Sequence, residues 1–272
     1  MFLQTSISME FEMTDAIYLT KKDSIAEIVL NQPDKRNAIN ATMWSGLGDY
    51  VKKAINDPDI AMIVITGMGS HFAAGADITE FEEVYRTSEN ARTYTQTMLD
   101  SLKTLELASK PTLAKIDGVC VGGGCSIALA CDLRLATQAA RFCIPPSKLG
   151  IAYPLDDTRR LVRAIGRANA MTMLFTARII DAKTAAEMGL VTQLAEDYAE
   201  LETCITTLGE ELASVSSWSL SATKKVFGFL DDGIADADPR AETLLEEAFT
   251  GPHFREGYRA FLEKRKPIFP KT

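Results

Sequence analysis

Residues 117–132 read DGVCVGGGCSIALACD, and the apolar run from Pro111 to Ile116 leads into them. Gly122, Gly123 and Gly124 are followed by the small-residue run Cys125 to Ala130. This is the order of a strand, a tight glycine turn and the start of a helix. Glycine permits close backbone approach and positive φ. The first amides of a helix have no intrahelical acceptor, and the positive end of the helix dipole lies there. Such a turn can present N–H groups to a developing negative charge, as an oxyanion hole does. The same glycines also suit a turn that only packs a helix onto a sheet, or one that binds phosphate. Neither GxGxxG nor GxxxxGK[ST] occurs, so both nucleotide fingerprints fail.

Upstream, Ile17 to Thr20 and Ile25 to Leu30 read as two strands with a turn at Lys21 to Asp23. Asn40 can cap a helix whose apolar stripe is Met43, Leu47, Val51 and Ile55. Ala61 to Thr66 is a continuous apolar run, as a strand covered on both faces requires. Strand, helix and strand in that order predict right-handed crossovers and a parallel sheet. The loop GMGSHFAAGADITEF (67–81) is rich in small residues that let a ligand lie against the main chain, and Asp77 or Thr79 can cap a short helix after it.

Downstream, residues 90–108 read as a helix, and Asp132 to Ala136 and Arg141 to Ile144 as short strands. After the loop PPSKLGIAYPLDDT (145–158), Asp156, Asp157 or Thr158 can cap a helix bearing Leu161 and Ile165. From about residue 167 helix follows helix: 168–176, 182–188, 197–215, 218–230, 239–249 and 253–264. The expectation is an α/β core with an all-helical tail.

The chain has 272 residues, enough for a sizeable core, and a formal net charge of −8. That balance argues against a sequence-independent grip on nucleic acid. Five cysteines without a CxxC pair read as buried thiols in a reducing compartment. Only two histidines, His71 and His253, argue against a His-rich metal site. His71 reads as structural or solvent-facing and His253 as a surface residue. The N-terminal stretch has no basic n-region, and no apolar run is long enough for a membrane span. A cytoplasmic location is the expectation.

Four motifs stand in order: NQPDKRNAI (31–39), HFAAGADI (71–78), DGVCVGGGCSIALACD (117–132) and FREGYRAFLEKRKPIF (254–269). Together they closely resemble the enoyl-CoA hydratase/isomerase family, the crotonase superfamily, from about residue 15 to residue 270. Residues 1–15 read as a loose leader, and the resemblance implies a crotonase-like ββα spiral core over 16–200 and a C-terminal helical trimerisation region over 201–272. It implies a homo-oligomer, trimer or hexamer, and an acyl-CoA thioester substrate, with CoA part of the substrate and no separate cofactor or metal. It further implies that the amides of Ala76 and Gly123 hold the thioester oxygen as it becomes an enolate. Ala74, Asp77, Ile78 and Thr79 would lie along CoA, Lys35 and Arg36 near its phosphates, and Phe261 and Lys264 would close over it.

Two departures from the family pattern matter. Hydration in the family uses two glutamates, and the matching positions here are Ser126 and Pro146. Addition of water needs both a base and an acid, so hydration by the usual route is not expected. Tyr153 falls where a decarboxylating member of the family carries a tyrosine, and it would either orient a carboxylate or only pack the loop. Asp156 and Asp157 replace a Gly-Gly pair; they would cap the next helix, or one would enter the pocket as an acid/base. The leading reading is an acyl-CoA enzyme of altered chemistry. The alternatives are a malonyl-type acyl-CoA decarboxylase and a non-catalytic acyl-CoA-binding protein. RNA binding, seen in one branch of the family, lacks its lysine row here.

Overall fold

A computed structural model describes residues 15–235 and 238–271. The expected leader at 1–15 falls almost wholly outside the described residues. Nine strands and eleven α-helices follow in chain order among them. β1 (Ile17–Lys22) and β2 (Ile25–Leu30) form an antiparallel hairpin whose turn places Asp23 at φ 53°. α1 (Ala41–Ile55) starts where Asn40 Oδ1 accepts a hydrogen bond from Met43 N at 2.8 Å, the expected cap. Its buried face carries Met43, Trp44, Leu47 and Val51. β3 (Met62–Gly67) follows, then a 3₁₀ turn at Ile78–Glu80, α2 (Phe81–Val84) and α3 (Ser88–Glu106).

β4 (Thr112–Ile116) and β5 (Val119–Val121) lead into α4 (Gly123–Ala130), so the glycine turn does open a helix. β6 (Leu133–Thr137), β7 (Arg141–Cys143), α5 (Pro146–Leu149) and α6 (Leu155–Thr176) come next. α6 breaks at Gly166, where φ is 73°, close to the predicted change of character. β8 (Ile180–Asp181), α7 (Ala182–Glu187) and β9 (Gln193–Ala195) complete the strands. The tail is α8 (Tyr198–Ala213), α9 (Ser217–Asp231), α10 (Pro239–Thr250) and α11 (Pro252–Leu262).

One sheet has the order β1-β2-β3-β4-β6-β9 and is parallel from β2 onward. A second sheet, β5-β7-β8, carries the segment before the glycine turn. The main core packs α1 and α4 against the large sheet, with α3 packed on both helices, and buries Trp44, Phe72, Phe142 and Leu102. Cys120, Cys125, Cys131 and Cys143 are buried free thiols, as expected, and Cys204 is half-buried. Among the described residues no helix is long and apolar enough to cross a membrane.

Two expectations are corrected. His253 is buried at 3 % exposure, with Nδ1 3.0 Å from Ser216 Oγ and its ring stacked on Phe269. It lies in the first turn of α11, directly after the Gly251 that ends α10, and is buried there. Neither Asp156 nor Asp157 nor Thr158 caps α6. Pro154 holds that position with no side-chain cap, Thr158 bonds back to Pro154 O, and Asp157 lies within the first turn facing inward.

Candidate active site

Three chain segments meet at the glycine turn. Ala74 N bonds Arg36 O, Ile39 N bonds Gly75 O, and Asp77 N bonds Ile39 O, at 2.7–2.9 Å. On the other edge Ala73 N bonds Val119 O and Val121 N bonds Ala73 O. Residues 73–77 are thus clamped between 36–39 and 119–121. Extended backbone directs successive N–H groups to opposite sides. Because Gly75 O and Asp77 N face Ile39, the Ala76 N–H faces the other way, toward the glycine turn. Gly75 (φ 106°) and Gly122 (φ 50°) both need conformations that a side chain resists. A Cβ on Gly75 would stand 3.9 Å from Gly123 N, and one on Gly122 would stand 3.8 Å from Gly75 Cα. The two proposed amides therefore belong to neighbouring segments. Among the described residues, the bonds that close these turns use neither Ala76 N nor Gly123 N. Gly123 is the first residue of α4, where an unsatisfied N–H and the positive helix end coincide.

Ser126 is one turn further along α4. Helical side chains lean toward the N-terminus, which carries its hydroxyl back toward the glycine turn. Ser126 is buried, and its Oγ lies 2.7 Å from Asp157 Oδ2 and 2.9 Å from the Tyr153 hydroxyl. Arg160 Nη1 donates to Asp157 Oδ1 at 2.7 Å, and Arg160 Nη2 donates to Glu106 at 2.7 Å. Burial pushes the Asp157 carboxyl above the usual carboxylate range, although Ser126 and Arg160 pull it down. Burial, and then the Asp157 charge, push the Tyr153 phenol well up. Pro146, the second position without a glutamate, is buried at the start of α5.

The remaining predicted residues divide into two places. Lys35 Nζ pairs with Asp77 Oδ2 at 2.6 Å and reaches Thr79 Oγ1 at 3.3 Å. Asp77 also caps the 3₁₀ turn through Thr79 N. Ala74, Ile78, Thr79 and Arg36 lie around this pair, with Ile78, Thr79 and Arg36 exposed. Phe261 and Lys264 sit on and just past α11, both exposed. Among the described residues no hydrogen bond or ion pair joins them to residues 74–79. His71 is structural: its Nδ1 accepts from Val119 N at 3.3 Å. Among the described residues no cluster of three or more His, Cys, Asp or Glu side chains is placed to hold a metal ion.

Sequence reading passed over Arg160 and Glu106, and also Asn37, which is fully buried at φ 55°. Asn37 Nδ2 donates to Met68 O and His71 O, and its Oδ1 accepts from Gln32 N. It ties the loop before α1 to the loop that carries Ala76. Its signal was present in the quoted NQPDKRNAI motif, since Asn tolerates the left-handed region and bonds backbone.

The fold and this site define an α/β protein whose glycine-opened helix meets a clamped strand. The family model described as Enoyl-CoA hydratase/isomerase matches residues 20–272, and the chain belongs to that family of acyl-CoA-processing enzymes. A probable enoyl-CoA hydratase of Mycobacterium bovis is 33% identical over 94% of this chain and 99% of its own length. A peroxisomal Delta(3,5)-Delta(2,4)-dienoyl-CoA isomerase of Arabidopsis thaliana is 26% identical over 96% of this chain and 98% of its own. The crystal structure of an enoyl-CoA hydratase/isomerase family protein from Hyphomonas neptunium superposes with a TM-score of 0.92 at 42% identity, covering 96% of this chain and 99% of that one.

Proposed function

We propose that this chain converts acyl-CoA thioesters through an enolate held by the N–H groups of Ala76 and Gly123, and that it relocates a proton along the acyl chain instead of adding water. The observation that carries the reading is the cluster beside Gly123. Where the family's hydratase pattern has a glutamate, Ser126 leads to one buried carboxylate, Asp157. Hydration needs an acid and a base acting together, whereas double-bond migration needs one group that takes a proton and returns it. Preorganised amides in a dry site lower the enolate by about 3 kcal/mol for each donor. The Lys35–Asp77–Thr79 group would meet CoA beside Arg36, Ala74 and Ile78. Phe261 and Lys264 would close over it from the tail, in a trimer or hexamer in the cytoplasm.

Decarboxylation of a malonyl-type thioester is the second reading. It forms the same enolate without a base, and Tyr153 stands beside the glycine turn where it could meet a carboxylate. The test is mass spectrometry of crotonyl-CoA, a 3-enoyl-CoA and methylmalonyl-CoA after incubation in deuterium oxide. Migration of the double bond with deuterium uptake is expected. Gain of water would overturn the reading, and loss of CO₂ would replace it with the second. Binding without any exchange would favour a non-catalytic protein.

A further inference from the structure

Ser126 has one proton to give, and an ionised carboxylate has none. While Asp157 is ionised, Ser126 must donate to Asp157 Oδ2 at 2.7 Å. The 2.9 Å contact with Tyr153 can then only be a bond that Tyr153 donates to Ser126. Every proton in the chain points inward, and the Tyr153 oxygen is left with lone pairs directed away from Ser126. If Asp157 takes up a proton, the order reverses: Asp157 donates to Ser126, Ser126 to Tyr153, and the Tyr153 O–H is free to donate. One cluster thus has a proton-accepting form and a proton-donating form, related by a single proton.

We propose that Tyr153, Ser126 and Asp157 form a proton relay, with Asp157 as the store and the Tyr153 oxygen as the group that meets the acyl chain. The inference rests on the enolate reading above and names the acid/base of that site. In the forward step a C–H bond of the thioester breaks and its electron pair moves into the carbonyl to give the enolate. The proton bonds to the Tyr153 oxygen as Tyr153 passes its own to Ser126 and Ser126 passes its own to Asp157. The products are an enolate and a neutral Asp157. Reversal at another carbon returns the proton, restores the carboxylate and shifts the double bond, with no co-reactant.

The surroundings suit a store that fills and empties. Arg160 faces Asp157 and is itself shared with Glu106, which Arg163 also approaches at 3.5 Å. Asp156 turns outward to Arg159 and repels a charge on Asp157. Burial first, and then the Asp157 charge, disfavour a phenolate at Tyr153. Tyr153 therefore conducts a proton and does not hold a charge, while the raised Asp157 carboxyl takes the proton at the far end.

The test compares deuterium exchange into the acyl chain for wild type, Ser126→Ala, Asp157→Asn and Asp157→Glu. Ser126→Ala interrupts the relay while keeping the Asp157–Arg160 pair, so its loss is not a loss of the fold. Ser126→Ala and Asp157→Asn should each slow exchange by about 100-fold, with acyl-CoA affinity within about threefold of wild type and partial recovery in Asp157→Glu. The wild-type rate should fall as pH drops through the raised Asp157 value, and that limb should vanish in Asp157→Asn. Exchange within about threefold of wild type in either variant overturns the relay. If wild type itself exchanges nothing, the enolate reading fails instead, and the relay is read without turnover by carbon-13 NMR of labelled tyrosine. The Tyr153 resonance, identified by its loss in Tyr153→Phe, should ionise at lower pH in Asp157→Asn; an unchanged titration overturns the relay.

Discussion

Replacing Gly124 by alanine sets local helix preference against tertiary fit. Gly124 lies in the first turn of α4 at an ordinary helical φ, so by propensity alone the change should stabilise by about 1 kcal/mol. The added Cβ would meet Ala73 O at 2.6 Å and Ala73 Cβ at 3.0 Å, where ordinary contact begins at 3.4 Å. Ala73 cannot yield, because its N–H and its C=O are both bonded into β5. The helix start must therefore retreat by roughly 0.8 Å, and Gly123 N moves with it. Overpacking of this kind costs about 1–3 kcal/mol. A displacement near 1 Å at a reacting centre costs about 100-fold in rate. Gly124→Ala should thus slow acyl-chain deuterium exchange about 100-fold and lose up to about 2 kcal/mol in urea unfolding after the propensity gain is counted. Gly228→Ala in α9, with nothing within 4 Å of the new Cβ, serves as the control and should leave exchange unchanged. A Gly124→Ala protein that is more stable than wild type and exchanges at its rate would refute both the packing and the placement of Gly123.

Asn37→Ala should lower stability by about 3–4 kcal/mol in urea unfolding, because three buried hydrogen bonds are lost and alanine must hold a left-handed backbone; a loss below about 1 kcal/mol would show that the two loops do not depend on it. Arg160→Leu should cost about 3–5 kcal/mol at neutral pH, since Asp157 is left as a buried unpaired charge. The Asp157 carboxyl already titrates above its unfolded value, and losing Arg160 raises it further. The folded state therefore takes up a proton first as pH falls, so the deficit relative to wild type should shrink on acidification; a deficit independent of pH would place the cost elsewhere.

Most of the fold was legible because its signals are local. Asn40 caps α1 from three residues away, and the apolar runs of β2, β3 and β4 are long enough to read. β8 and β9, of two and three residues, are too short to show alternation and exist because neighbours pair with them. The four motifs together identified the family, and three of them supply the segments that meet at the glycine turn. In the sequence, Asp157 reads as a helix cap or as a pocket acid/base, because an acidic pair shortly after a proline fits either. Its surroundings are set by Ser126, 31 residues earlier in the chain, and by Arg160 one turn later.

The sequence by itself determined the α/β order, the glycine-opened helix and the placing of a serine at 126 and a proline at 146, since each is written in neighbouring residues. Only the tertiary structure decided that a buried aspartate, Asp157, stands behind Ser126. Which side chains meet across a core is set by packing between elements, and a carboxylate desolvated by residues far away in the chain leaves no local mark on the sequence.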